Sequence, residues 1–277
     1  MQEIQRTLLV GFDSAWSNEN SGSLTAALMA DDNDITKEDS QPASLDEAIL
    51  LIQKWQSDWN PERTIIAIDQ PIVVSNTSGQ RPVENIVSSI VGKHRGGVQP
   101  SSTSKSYFSQ DAPIWKFVDA FGGASDPTVL SKPTSLIETY PTLHQIAMGY
   151  TLPTETEKRR LPKYNPKSTN FSRSDWKHVC SKLREDLEEI GFVTSSKKIK
   201  ALGENTAPSK SDQDLVDSCF CLLTAHSVAT GKAMSVGTVK SGYMVVPHNK
   251  EVLDKLKQRC IAKERDPSKF LNTLSSV

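Results

Sequence analysis

The sequence predicts a mixed α/β fold, with a central sheet flanked by helices and carrying loop-rich insertions. Three observations predict it. Thr7–Phe12 (TLLVGF) and Ser23–Met29 are short apolar runs separated by a turn-rich WSNENSG, the pattern of a hairpin. A helix signal over 44–59 is followed by Thr64–Ile68 (TIIAI), a β-branched run suited to a strand buried on both faces, so strand, helix and strand form a βαβ unit. Finally, the three apolar segments TLLVGFD, TIIAID and SLIE each end in a carboxylate: Asp13, Asp69 and Glu138.

The elements follow in order. DDNDITKEDSQP is a polar, acidic connection, and Ser44 with Glu47 forms a capping box. The helix it opens keeps Leu45, Ala48, Ile49, Ile52 and Trp55 on one face, and Asn60–Pro61 ends it. About 76–134 is rich in Gly, Ser and Pro and reads as an insertion over the active-site edge, with helical pieces near Val83–Val91 and Pro113–Phe121. Ser135–Ile137 makes a short strand delivering Glu138, and YPTLHQIAMG follows as a helix. A basic loop at about 151–175 leads into a helix over Ser174–Ile190, stopped by Gly191. The last clear helix spans about Ser211–Thr230, and YMVVP closes the core before a charged terminal helix. The expected organisation is one domain over all 277 residues.

Composition excludes several classes. With 36% hydrophobic and 23% charged residues, and no apolar run near the roughly 20 residues that cross a bilayer, the chain reads as a soluble globular protein with no membrane partner. No signal-peptide pattern opens it, so the expected compartment is the cytoplasm. Cys180, Cys219, Cys221 and Cys260 lack CxxC spacing and read as reduced and structural; none of the five histidines has metal-ligand spacing. Charge is divided unevenly. Residues 1–75 hold four basic and 13 acidic residues, a net of −9, whereas 158–210 hold 13 basic and six acidic, a net of +7. Such a chain gathers carboxylates around cations in one region and offers a polyanion another, although a solvated surface has the same composition.

In an open α/β sheet, ligands bind at the carboxyl ends of the strands, which puts Asp13, Asp69 and Glu138 near one rim. Asp214 and Asp217 are three apart on the last long helix and share a face, while Leu215, Val216, Cys219, Leu222 and Leu223 dock that helix on the sheet. Crowded carboxylates are costly unless cations neutralise them, and hard oxygen ligands select Mg²⁺ or Mn²⁺. One or two such ions would activate a water and orient a scissile phosphate. Each acid has a structural alternative: an aspartate after a strand also serves as a turn or cap, and acids in a first helical turn complement its dipole.

The segments GFDSAWS (11–17), AIDQPIVV (67–74), RPVE (81–84), ETYPTLHQIA (138–147) and SDQDLVDSCFCLLTA (211–225) together resemble domain-of-unknown-function family 429, a group of predicted nucleases with a ribonuclease H-like fold. The D-x-x-D pair is also similar to the resolvase branch of that superfamily, whose last helix carries two metal-binding aspartates. The resemblance implies a metal-dependent nuclease acting on DNA or RNA, with Asp13, Asp69, Asp214 and Asp217 as the acidic cluster and Glu138 as a further member. It also brings in Arg81 as a phosphate contact and Glu84 as a support of the site, the alternative for the two being a surface ion pair.

Further contacts follow from charge. Lys93 and Arg95 sit beside Gly96 and Gly97, whose backbone can approach a ligand, and Lys158, Arg159 and Arg160 form a second basic cluster. Tyr107, Phe108, Tyr164, Phe171 and Trp176 are candidates for stacking on unpaired bases or for simple packing. Two other classes stay open. An ATP-dependent phosphotransferase or ATPase of the actin-like branch would need Gly-rich phosphate loops, which GFDSAWS does not supply; a non-catalytic nucleic-acid-binding protein would keep the basic segments without needing the acids.

Overall fold

Apolar runs too short for helices become the central sheet. The computed structural model describes residues 6–30, 32–156 and 158–276. Strands β1 (Thr7–Asp13), β2 (Gly22–Met29) and β3 (Ile35–Ala43) form an antiparallel meander. Helix α1 (Leu45–Trp59) returns the chain to β4 (Arg63–Ile68), which pairs parallel to β1. A long connection holding α2 (Pro82–Lys93) and α3 (Pro113–Ala120) then leads to β5 (Thr134–Glu138), parallel to β4. The sheet order is β3-β2-β1-β4-β5. The capping box is present as expected, Ser44 accepting from the Glu47 amide and Glu47 from the Ser44 amide.

Helix α4 (Pro141–Ala147) is followed by a two-residue ribbon, β6 (Leu152–Pro153) with β7 (Arg159–Arg160). Then come α5 (Arg173–Ile190), ended by Gly191 at φ 98°, α6 (Val193–Glu204) and the long α7 (Lys210–Ala229). Strands β8 (Ala233–Thr238) and β9 (Gly242–Pro247), helices α8 (Lys250–Ala262) and α9 (Pro267–Phe270), and strand β10 (Leu271–Thr273) complete the chain. Among the described residues, no helix is long and apolar enough to cross a membrane. All four cysteines are buried and free.

The structure departs from or adds to the expected elements in three places. Residues 35–42 of the acidic connection after β2 belong to strand β3, an edge strand whose partly exposed residues show no apolar alternation. Helix α6 was not expected; it buries only Ser195, Ser196 and Ile199. YMVVP is strand β9 as expected and puts Tyr243 and Val245 in the main core, but it pairs with β8 in a separate sheet of order β10-β8-β9, whose other face covers a second hydrophobic cluster with Val83, Ile86, Leu143 and Leu256. It meets the first sheet through the bridge Thr139–Val245 and through the Tyr243 hydroxyl, which donates to the Leu136 carbonyl of β5 at 3.4 Å.

Helix α7 lies directly on β1, and Gly11 permits it. A Cβ at Gly11 would stand 2.2 Å from both the Leu222 amide nitrogen and the Ser218 carbonyl oxygen. Because successive strand residues alternate faces, Asp13, two residues beyond Gly11, leaves the sheet on the side of α7. Gly11→Ala is therefore expected to push α7 outward and cost about 1–3 kcal/mol or more. A denaturant midpoint equal to that of the parent chain would refute this packing.

Candidate active site

At the carboxyl edge of β1 and β4, four aspartates meet. Asp13 ends β1; Asp69 follows β4, with its amide held by the Phe12 carbonyl at 2.8 Å. Asp214 and Asp217 come from the first turns of α7, which Ser209 caps. Asp13, Asp214 and Asp217 are each less than 10% exposed. Burial raises the Asp13 carboxyl well above the usual carboxylate range, and repulsion from Asp217 and Asp69 raises it further. Burial, then Asp217 and Glu138, do the same to Asp69. Asp217 is pushed up by burial to about 6, against a hydrogen bond from Tyr164 and the nearby Lys210 ammonium.

The supports of this cluster come partly from residues the sequence did not single out. Lys210 bonds to Asp214, one helical turn on, and its own pKa is raised despite burial, first by Asp13 and then by Asp214. The Tyr164 hydroxyl donates to Asp217 Oδ1 at 2.6 Å and accepts from Gln145 Nε2 at 2.7 Å. Gln213 Nε2 donates to Asp217 Oδ2 at 2.9 Å. The i, i+4 spacings Lys210/Asp214 and Gln213/Asp217 were visible signals. Tyr164 approaches from 53 residues away and had none.

Glu138 is turned elsewhere, for reasons of register. Its Cα pairs with Ile68, one residue before Asp69, so the pleat sends it to the opposite face of the sheet. Thr139 takes the α7 side instead, bonding Thr224 Oγ1. The Glu138 carboxylate receives both terminal nitrogens of Arg81, at 2.6 and 2.8 Å. Arg81 Nε bonds Glu84 at 2.7 Å, and Glu84 also accepts the amides of Arg81 and Ser101. Arg81 and Glu84 are fully buried and Glu138 is 2% exposed. Burial raises the Glu138 carboxyl, opposed by Arg81; the two carboxylates hold the Arg81 guanidinium above its ordinary pKa against its own burial. Arg81 is thus a clamp inside the protein, neither the expected phosphate contact nor a surface pair. Gly242, where a Cβ would lie 2.7 Å from an Arg81 terminal nitrogen, leaves room for it.

The expected basic contacts divide. Lys93, Arg95 and Lys158 are exposed. Arg159 bonds the Thr151 hydroxyl and carbonyl, and Arg160 forms a forked pair with buried Asp175, so these two guanidiniums have internal partners. At Gly96 a Cβ would collide with Leu161 and Val91, so internal packing by itself calls for a glycine there. Of the aromatic candidates, Phe108 and Trp176 are buried, Phe171 packs on the core and Tyr164 serves Asp217, leaving Tyr107 exposed.

Carboxylate oxygens suit Mg²⁺ or Mn²⁺, and three acids with raised pKa values carry an excess of negative charge that such a cation would relieve. The donor chemistry therefore fits, with Asp13, Asp69, Asp214 and Asp217 as the ligands in reach. Among the described residues, however, no three His, Cys, Asp or Glu side chains already converge as a ligand group, and the Lys210 ammonium supplies the neutralising charge.

Fold and site together define a mixed α/β protein with a buried acidic cluster at the carboxyl edge of a five-stranded sheet. The chain belongs to the family described as "Protein of unknown function (DUF429)", whose model matches residues 11–240. No curated protein matches it.

Proposed function

We propose that the chain is a divalent-metal-dependent nuclease with a ribonuclease H-like fold, hydrolysing phosphodiester bonds of DNA or RNA. The observation that carries the reading is the gathering of Asp13, Asp69, Asp214 and Asp217 at one sheet edge from two strand ends and one helix, with the carboxyls of Asp13, Asp69 and Asp217 raised by burial. The sheet adds support, an antiparallel meander continued by two parallel strands, with the acidic helix α7 lying on β1.

When bound, Mg²⁺ or Mn²⁺ would polarise the scissile phosphate and lower the pKa of an attacking water. The chain's own residues prepare the site. Tyr164 and Gln213 fix both oxygens of Asp217, so that side chain keeps one orientation. Lys210 balances the acids before the cation arrives, and its flexible stem lets the ammonium withdraw or turn toward a phosphate oxygen. Exposed Lys93, Arg95 and Lys158 contribute sequence-independent attraction for the backbone.

The test is cleavage of labelled single-stranded, duplex, hybrid and branched nucleic acids with Mn²⁺, Mg²⁺ or chelator. Wild-type cleavage that requires the metal and falls at least a hundredfold in Asp69→Asn is expected, on the order of removing one essential electrostatic group. Equal turnover in the variant would overturn the assignment.

A further inference from the structure

A cleft of about 360 Å³ opens beside Asp69. Its walls include Trp16, Tyr107, Tyr140, Val98 and Met244, and its floor is the Arg81, Glu84 and Glu138 triad. Trp16 is fixed to the acidic cluster itself, its indole nitrogen donating to the Asp69 carbonyl at 3.1 Å. It does so from a left-handed backbone, φ 61°, which non-glycine residues seldom adopt. Tyr107 stands edge-on to Trp16, with centroids 5.9 Å apart at 81°, and is 45% exposed at the mouth. The Tyr140 hydroxyl is tied to the Gly97 carbonyl at 2.7 Å, which holds that ring as a fixed wall.

Two features specify the occupant. Ser101 lines the cleft at 1% exposure, and its hydroxyl has no hydrogen-bond partner among the described residues although its amide is engaged by Glu84. A buried hydroxyl of that kind wants a donor or acceptor from a ligand. The floor holds two carboxylates against one guanidinium, so it repels a phosphate and admits a neutral heterocycle. The volume lies at the small end of ligand cavities, too small for a stacked duplex.

We propose that this cleft receives one unstacked nucleobase, held against the aromatic walls and read by Ser101 Oγ, while its phosphate stays outside at the acidic cluster. The inference deepens the nuclease reading: the substrate is a single strand or an extruded nucleotide, delivered with its backbone beside Asp69.

The test uses the wild-type chain in chelator, so that binding is read without cleavage, and a short single-stranded oligonucleotide carrying 2-aminopurine, whose emission falls on stacking. Quenching at saturation is expected, with the corresponding duplex bound more weakly. Tyr107→Ala, exposed and so neutral for folding, should weaken single-strand binding roughly tenfold. Ser101→Ala should alter the ranking of four unlabelled oligonucleotides, each with a different base at the 2-aminopurine position, as competitors of the labelled strand. Unchanged emission, or Tyr107→Ala binding within about twofold of wild type, would overturn the inference. The two readings fail separately. Quenching without cleavage under any metal supports the base cleft and ends the nuclease reading; cleavage without quenching ends the base cleft alone.

Discussion

Replacing Arg81 with leucine is expected to destabilise the protein by about 3–5 kcal/mol, the typical cost of removing one partner from a buried ion pair. The guanidinium is fully buried and makes four of its bonds to Glu84, Glu138 and the Val73 carbonyl. Leucine would leave two carboxylates desolvated without their counter-charge, so Glu138, already raised by burial, would rise further and take up a proton. Combining the change with Glu84→Gln and Glu138→Gln should recover a large part of the loss, because the charges then vanish together. Urea unfolding of the single and triple variants measures both effects. A single-variant loss below about 1 kcal/mol would show that the triad contributes little to the fold.

The second large effect is at Asp217, where Asp217→Asn should abolish turnover while stabilising the metal-free chain. The replacement is sterically neutral and its hydrogen bonds can be kept. Tyr164 can still donate to the remaining oxygen, and the Gln213 amide can turn over, since Gln213 Oε1 is buried without a partner and can accept from the new amide. The sign follows from the raised pKa of about 6. Near pH 4 the folded carboxyl is protonated and carries no penalty. As pH rises from 4 toward about 6 the unfolded chain releases this proton while the folded one still holds it, so wild type loses stability that the asparagine variant keeps. The advantage of the variant should grow between pH 4 and about 6 and then level off, at an order of 1–3 kcal/mol. His144 and His226, held neutral by burial with pKa values near 3 and 4, lose stability on acidification, but equally in both chains, so they cancel in the difference. Thermal melts in chelator across this range test the first part. Adding Mn²⁺ should then raise the wild-type melting temperature more than that of the variant; an equal rise in both would remove Asp217 from the metal ligands.

How far the site could be read in advance differs residue by residue. Asp13, Asp69, Asp214 and Asp217 were legible because each follows a local rule, a carboxylate closing an apolar strand or an i, i+3 pair opening a helix, and the fold brings all four to one edge. Glu138 obeyed the same rule and went elsewhere, because a one-residue difference in register, invisible without the pairing, reverses the face a side chain takes. Arg81 and Glu84 looked like a phosphate contact and a support of the site, and only the packing of α2 against β8 and β9 shows that both are enclosed.

By itself the sequence determined what local periodicity encodes: α1 with its capping box, the buried strands β1 and β4, the stop at Gly191, and the residue types that form the acidic cluster. Tertiary structure alone decided the rest. It made a strand of the polar segment 35–43, where pairing with β2 satisfies the backbone whatever the side chains are, and it set β9 in a second sheet. It also joined Tyr164 to Asp217 and Trp16 to Asp69, contacts across more than 50 residues. Hydrophobic period and capping act over a few residues along the chain, whereas register, burial and charge pairing depend on which distant segments meet.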